Sequence, residues 1–215
     1  DLSLTGISGT FLRQTDKIAV STFFSLEIFS IYCICSLLTN MIMTACESIS
    51  NAAYPFFVNL LSKPTPSVDI RQVYLSISLV TSYVAALISG ILVVFPKEVL
   101  NIFSVKTDED IFNWTLAILG LAKFCQSTLI IPFCMKISMK SAKHGLWVNI
   151  ASVMFIVPAT FISIQTMGVV GVSISWLILG VIYISLGYVF LAETDSMRDY
   201  VFWFSNCVML PFVTV

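Results

Sequence analysis

The sequence predicts an all-α protein, a polytopic bundle of transmembrane helices, and three observations carry this prediction. Only 11% of the 215 residues are charged, whereas ordinary soluble domains contain about 25%. Mean hydropathy is +0.95. Apolar runs close to the roughly 20 residues that a helix needs to cross a bilayer recur along the chain. So few charges cannot cover the surface of a soluble domain of this length, so we expect a multi-pass membrane protein.

Seven helices are expected in order. The first is the opening segment, and the others run over about 28–46, 73–96, 111–135, 145–165, 168–192 and from near residue 200. Pro55 should kink the second segment, which continues to about residue 62, or mark its exit, and Pro132 and Pro158 should bend later helices. The last apolar run ends after about 16 residues, too few to span comfortably. We therefore interpret the sequence as a fragment cut at both ends.

Small residues and loop charges add two expectations. Gly168, Gly171 and Ser175 share one helical face, a pattern that lets transmembrane helices approach closely.

The loops at 63–71, 136–144 and 193–199 hold six basic residues, whereas the loops between them hold only Lys97 and Lys106. The positive-inside rule therefore places the three basic loops in the cytoplasm.

Cofactor, metal and nucleic-acid sites are not expected. The six cysteines contain no C-x-x-C pair, and we interpret them as small apolar packing residues. The single histidine, His144, follows a lysine at a membrane edge, which is typical of a residue at headgroup level. The sequence also has no phosphate loop, zinc spacing, nucleophile motif or basic patch, so we do not expect an enzyme.

The first helix carries charges that a membrane segment should not have. Arg13, Asp16 and Lys17 are spaced i, i+3 and i+4 and therefore share a face. Three ionised side chains cost roughly 8–10 kcal/mol on insertion scales, and about ten apolar residues return only about 3–6 kcal/mol. This helix is therefore acceptable only if the charged face meets water or opposite charges inside the bundle.

Two other helices have polar stripes that match this face. One stripe is Asn40, Thr44, Glu47, Ser48 and Asn51, and the other is Gly120, Lys123 and Ser127, with Gln126 adjacent. We predict a hydrated cavity between the three helices, with five substrate-binding residues: Arg13, Lys17, Lys123, Asn40 and Gln126. Asp16 and Glu47 are predicted to couple transport to an ion or to pair with the bases. In a purely structural alternative, Asp16 pairs with Arg13 or Lys17, and Glu47 with Lys123. Because bases outnumber acids, the cavity suits an anionic headgroup better than a cation.

A family resemblance is carried by three stretches in order. The first is "LRQTDKIAVSTFFSLEIFSIYCICSLLTN", which resembles the opening of the second half of the polysaccharide flippases, the O-antigen (Wzx-type) family. "ESISNAAYPFFVNLLSK" and "MGVVGVSISW" are similar to the family's following segment and to the entry of a later helix. The resemblance covers about residues 10–192. It implies the fold of the multidrug/oligosaccharidyl-lipid/polysaccharide exporter superfamily, in which two six-helix lobes surround a central cavity.

The resemblance also implies domains and a function. Residues 1–192 are then the second lobe, and 193–215 a cytoplasmic loop and the start of an additional, truncated helix; the first lobe is absent. The substrate is an undecaprenyl-diphosphate-linked oligosaccharide, a repeat unit of O-antigen, capsule or exopolysaccharide, flipped across the bacterial inner membrane by alternating access. Arg13 and Lys123 then attract the diphosphate or acidic sugars, and Asp16 or Glu47 binds a coupling proton or sodium ion. Lys123 matches no family motif, so its role depends on the polar stripe alone.

Other functions stay open at this point. A multidrug cation antiporter of the same superfamily should have an acidic cavity, and here bases predominate. A membrane polysaccharide polymerase or ligase usually needs a large periplasmic loop, whereas the longest loop expected here, at about 97–110, is short. A non-transporting scaffold leaves the polar stripes unexplained.

Overall fold

The computed structural model describes residues 2–62, 70–103, 110–139, 142–191, 201 and 203–211. These residues form helices and no strand, which confirms the all-α class. The helices are α1 (Leu2–Phe23), α2 (Leu26–Ser62), α3 (Ile70–Val94), α4 (Pro96–Ile102), α5 (Asp110–Ser127), α6 (Ile130–Ser138) and α7 (Ala142–Leu191), followed by a π-helical segment at Phe204–Met209.

Four helical stretches in the described residues are long and apolar enough to cross a membrane. They are Leu26–Ser62, Ile70–Val94, Asp110–Ser138 and Val148–Ser185. Helix α1 has sufficient length, but Arg13, Asp16 and Lys17 make it more polar than these four. Large apolar side chains are exposed along the outside of α2, α3 and α7, including Leu37, Met41, Val80, Leu87, Ile91, Ile178 and Val181. Such a surface is what contact with lipid requires of a multi-pass membrane protein.

Helix α7 is a hairpin of two arms that meet at Gly168. Gly168 has φ 63° and ψ −141°, a backbone conformation that residues with a Cβ atom rarely adopt. The arms then run back along each other, because Ser163 Oγ lies 2.6 Å from Ser175 Oγ and the Tyr183 hydroxyl donates to Ser152 Oγ at 2.7 Å. The turn falls at the boundary predicted between the fifth and sixth helices.

Close helix contacts occur where glycine removes the side chain. A Cβ atom at Gly171 would collide with the carbonyl oxygen of Ser163 on the other arm, and one at Gly180 would lie 2.9 Å from the Cβ atom of Cys125 in α5. The predicted small-residue face therefore lies between the two arms at Gly171 and Ser175. Gly168 has a different role from the one predicted, since it makes the turn.

Proline interrupts only one of the predicted helices. Helices α5 and α6 are separated by a turn at Thr128 and Leu129, shortly before Pro132. The Pro132 ring cannot donate a backbone hydrogen bond and clashes with the carbonyl four residues earlier, which explains the break. By contrast, α2 stays helical through Pro55 and α7 through Pro158.

The connections differ from the prediction in more than one place among the described residues. The predicted loop at 136–144 is helical at 136–138, where α6 ends, and at 142–144, where α7 begins, and Lys136 is buried in α6. The segment predicted as a loop at 97–110 begins with the short helix α4, and Lys97 Nζ forms an exposed ion pair with Asp110 Oδ1 at 3.0 Å. Most of the predicted cytoplasmic loops, at 63–69, 140–141 and 192–200, lie outside the described residues. The predicted sidedness of the loops therefore stays a prediction.

Helix α5 occupies the centre of the bundle and contacts α2, α3, α4 and α7. Its buried residues Leu116, Leu119 and Phe124 belong to the main apolar core, together with Tyr32 and Ile42 of α2. A second apolar cluster surrounds the buried Trp203, near the last described helical residues. The packing of α5 on several sides determines which of its polar residues reach a cavity.

Candidate functional site

A cavity of about 640 Å³ opens between α1, α2, α5, α6 and α7. Its volume falls in the range of about 300–1,000 Å³ that is usual for small-molecule sites. The polar side chains that line it are Thr10, Arg13, Asn40, Glu47, Ser50, Asn51, Lys123, Gln126 and Asn149. The apolar and aromatic lining includes Met43, Tyr54, Leu129, Ile130, Phe133, Ile137 and Trp176. An amphipathic chamber of this kind suits a ligand with both polar and apolar parts.

Most of the predicted site residues meet at this cavity. Five line it: Arg13, Asn40, Glu47, Lys123 and Gln126. Two do not, because Asp16 is buried against α2 and the partly buried Lys17 is absent from the lining. A cavity therefore lies where the three polar helix faces were predicted to meet, with α6 and α7 adding to its wall. The roles assigned to its residues stay predictions.

Arg13 is paired with Glu47 across the two helices. The distance from Arg13 Nη2 to Glu47 Oε1 is 2.7 Å, and the side chains are 58% and 37% exposed. The structural alternative paired these residues differently, with Asp16 beside Arg13 or Lys17, and Glu47 beside Lys123. An ion pair this exposed contributes only about 0–1 kcal/mol. A ligand anion can therefore compete with Glu47 for Arg13 at little cost.

Asp16 does not line the cavity, although it lies one helical turn from Arg13. It is 5% exposed, and its Oδ2 accepts a hydrogen bond of 2.7 Å from the hydroxyl of Tyr32 in α2. Its other oxygen, Oδ1, has no hydrogen-bond partner among the described residues. Tyr32 was not among the predicted site residues. The signal for it was a tyrosine inside an apolar helix, because a buried hydroxyl usually finds a polar partner.

Lys123 is the buried cation of the cavity. It lies near the middle of the Asp110–Ser138 stretch and is 8% exposed. Its Nζ atom is 4.6 Å from the centre of the Trp176 ring, a cation–π arrangement. Trp176 is the last residue of the "MGVVGVSISW" stretch, but the sequence did not place it at the site because the hairpin that brings it there is a tertiary feature.

The two predicted polar stripes are narrower than expected. Thr44 and Ser48 do not line the cavity, and their hydroxyls donate to backbone carbonyls of their own helix. Gly120 packs against Leu92 of α3, and the buried Ser127 donates to the carbonyl of Phe124. These parts of the stripe prediction are wrong for two reasons. Gly120 and Ser127 are buried by neighbouring helices, whereas Thr44 and Ser48 are exposed outside the cavity lining.

Metal chemistry has no evident ligands in this part of the chain. The described residues contain no group of three or more His, Cys, Asp and Glu side chains placed to hold a metal ion. The cysteines Cys35, Cys46, Cys134 and Cys207 are buried, in agreement with their interpretation as packing residues.

Fold and site together define a membrane-type helix bundle with a polar cavity inside it. No protein-family model matches the chain, and no curated protein or solved structure is detectably similar to it. The function is therefore argued from the cavity itself, and the resemblance to the polysaccharide flippases stays a prediction.

Proposed function

We propose that this chain belongs to a transporter that flips an undecaprenyl-diphosphate-linked oligosaccharide across the bacterial inner membrane by alternating access. The observation that carries the proposal is the cavity, which holds two bases, Arg13 and Lys123, but one acid, Glu47, among its lining residues. A positive chamber surrounded by apolar helices favours an anion. The diphosphate supplies this anion, and the isoprenoid chain stays in the lipid.

The position of Lys123 is the strongest electrostatic support for an anionic substrate. A lysine near the middle of a membrane helix costs about 2.5–3.5 kcal/mol on insertion scales, and such residues commonly mark substrate pathways. Lys123 Nζ has no ion-pair partner among the described residues, since Glu47 is bound to Arg13. A bound diphosphate would neutralise Lys123 and strengthen the interaction in a medium of low dielectric constant.

The rest of the lining suits sugar hydroxyls. The amide side chains of Asn40, Asn51 and Gln126 provide donors and acceptors. Tyr54 and Phe133 provide flat apolar surfaces beside them. An oligosaccharide presents hydroxyl groups on an otherwise apolar ring, so both kinds of side chain have partners in it.

The helix count agrees with one lobe of a two-lobe exporter. Helices α1, α2 and α3, the pair α5–α6, and the two arms of α7 give six helical segments over residues 2–191. All except α1 belong to the four stretches that are long and apolar enough to cross a membrane. We propose that these form the second, C-terminal lobe and that the cavity faces a first lobe. Glu47 offers an acidic ligand for a coupling proton or sodium ion when Arg13 leaves it.

The multidrug cation antiporter is the second candidate, and Glu47 is the observation that favours it. A carboxylate in a membrane cavity binds organic cations. Here, however, the guanidinium of Arg13 already occupies Glu47 Oε1 at 2.7 Å. A cationic substrate would have to displace Arg13 from Glu47, and Lys123 in the same cavity would repel it. The anionic lipid is therefore the better match.

Flipping in proteoliposomes tests the proposal. The complete protein is reconstituted with a polyprenyl-diphosphate-linked oligosaccharide, and a membrane-impermeant lectin reports how much sugar changes leaflet. Arg13→Ala should lower the rate at least about tenfold, and Arg13→Lys should restore it only in part, because lysine lacks the bidentate fork that grips phosphate. Arg71→Ala is the matched control, since Arg71 is exposed and does not line the cavity. Export of ethidium with no movement of the lipid-linked sugar would instead establish the cation antiporter.

A further inference from the structure

Three hydrogen-bond donors in the cavity wall have no acceptor in the part of the chain that the structure describes. Gln126 Nε2 and Trp176 Nε1 are buried and have no hydrogen-bond partner among the described residues. Lys123 Nζ lies over the Trp176 ring and likewise has no acceptor in the described part of the chain. The three side chains are 8%, 9% and 2% exposed for Lys123, Gln126 and Trp176, and all three line the cavity.

All three groups can only donate hydrogen bonds. A lysine ammonium and an indole N–H donate hydrogen bonds and never accept them, and the amide nitrogen of glutamine also only donates. Buried donors normally find partners, so each unsatisfied one calls for an explanation. Lys123 and Gln126 stand one turn apart on α5, and the second arm of α7 brings Trp176 next to them. Donors without acceptors indicate a site for a ligand that is rich in acceptor oxygens.

The charges around Lys123 favour an anion rather than a neutral ligand. Asp16 and Glu47 are close enough to act on Lys123 electrostatically, and so are Arg13 and Lys17. Glu47 is held by Arg13 at 2.7 Å, and Asp16 receives the Tyr32 hydroxyl at 2.7 Å. Three bases against two acids leave an excess of one positive charge. Glu47 is engaged by Arg13, and Asp16, the acid that acts most strongly on Lys123, forms no ion pair with it among the described residues.

We propose that Lys123, Gln126 and Trp176 form an oxyanion subsite that binds a phosphate or diphosphate group. Arg13, which lines the same cavity, is not one of these unsatisfied donors because it is held by Glu47. The subsite itself follows from the donors. Its assignment to the diphosphate of a lipid-linked sugar rests on the proposed function.

Equilibrium binding to the purified complete protein tests the subsite without any transport step. The probes are radiolabelled inorganic pyrophosphate, farnesyl diphosphate and, as the uncharged counterpart, farnesol. Both diphosphates should bind saturably, and farnesol should not compete with them. Lys123→Met should weaken diphosphate binding about tenfold or more, because a charge-assisted contact is lost. Lys97→Met should bind normally, because Lys97 is exposed and paired with Asp110 outside the cavity.

Two gentler variants keep the test decisive if Lys123→Met does not fold. Trp176→Phe keeps an aromatic face for Lys123 but removes the N–H donor, and Gln126→Leu removes the amide; each should weaken diphosphate binding severalfold. Tighter binding of farnesyl diphosphate than of pyrophosphate supports both the subsite and the lipid-linked substrate. Equal binding supports the subsite and counts against the lipid. Absent diphosphate binding, or affinity unchanged in all three variants, would overturn the subsite.

Discussion

Asp16 and Arg13 lie one turn apart in α1, but their side chains lie in different environments. Asp16 is buried and accepts a hydrogen bond from Tyr32, whereas Arg13 is largely exposed and holds Glu47. A buried carboxylate without a donor is costly, while an exposed ion pair contributes little. We infer that Asp16 holds α1 against α2 and that Arg13 is the residue free to exchange its partner for a ligand.

Tyr32→Phe tests the structural role of Asp16. Loss of the hydroxyl leaves a buried carboxylate without its donor, so the free energy of unfolding should fall by about 1–3 kcal/mol. Asp16→Asn should keep nearly normal stability, because its amide oxygen still accepts from Tyr32. The double variant Tyr32→Phe/Asp16→Leu should recover stability, since both polar partners are gone. Thermal unfolding in detergent measures all three changes.

The same variants separate structure from ion coupling. If Asp16 only supports the α1–α2 contact, transport by Asp16→Asn should still depend on the proton or sodium gradient. Gradient-independent transport at a normal amount of protein would show that Asp16 binds the coupling ion. A Tyr32→Phe variant as stable as the wild type would contradict the structural role.

At the scale of the elements, the α7 hairpin depends on two glycines for separate reasons. Gly168 needs its left-handed backbone conformation, and Gly171 lets the arms touch, because a Cβ atom there would meet the backbone of Ser163. We expect Gly171→Ala to lower the free energy of unfolding by about 1–3 kcal/mol through overpacking. Gly168→Ala should cost about 1–3 kcal/mol through strain.

Gly120→Ala is the matched control for both. Its added methyl group would have Leu92 Cβ as its nearest contact, at 3.5 Å, which is ordinary van der Waals contact, and alanine favours helix over glycine. Its stability in detergent should therefore equal or exceed that of the wild type. Equal melting temperatures for Gly171→Ala and Gly120→Ala would contradict the close approach of the arms.

The sequence predicted most helices and only part of the site. Helices α2, α3 and the two arms of α7 follow from the length of apolar runs, which is a local property. Helix α4 was missed because seven residues that include Lys97 and Glu98 have the composition of a loop. Helical spacing placed Lys123 and Gln126 on a common side, but it cannot tell which neighbours cover Gly120 and Ser127, since that depends on tertiary packing.

At the scale of the whole molecule, orientation follows from the charges of the connections. The basic segment 136–144, which spans the end of α6 and the start of α7, should face the cytoplasm, and the connection between α4 and α5 should face the opposite side. In a cysteine-free protein, a cysteine at Thr107 should react with a membrane-impermeant thiol reagent applied from outside intact cells, and one at Ser141 should not. The reverse labelling pattern would invert the predicted topology.

The proposed transport function depends on the cavity, because the cavity places polar and positive groups inside an apolar bundle. Its lining comes from α1, α2, α5, α6 and α7, so relative movement of these helices would alter it. The proposed transport therefore requires that the lipid-linked sugar occupies this cavity.

Protection of a cavity cysteine by the substrate measures directly whether the lipid-linked oligosaccharide occupies the cavity. Asn51 is exposed and lines the cavity, whereas Ser62 is exposed at the end of α2 outside it. In a cysteine-free protein, a polyprenyl-diphosphate-linked oligosaccharide should slow the reaction of Asn51→Cys with a charged thiol reagent and leave the reaction of Ser62→Cys unchanged. If Asn51→Cys reacts at the same rate with and without a saturating amount of the lipid-linked oligosaccharide, the oligosaccharide does not occupy the cavity.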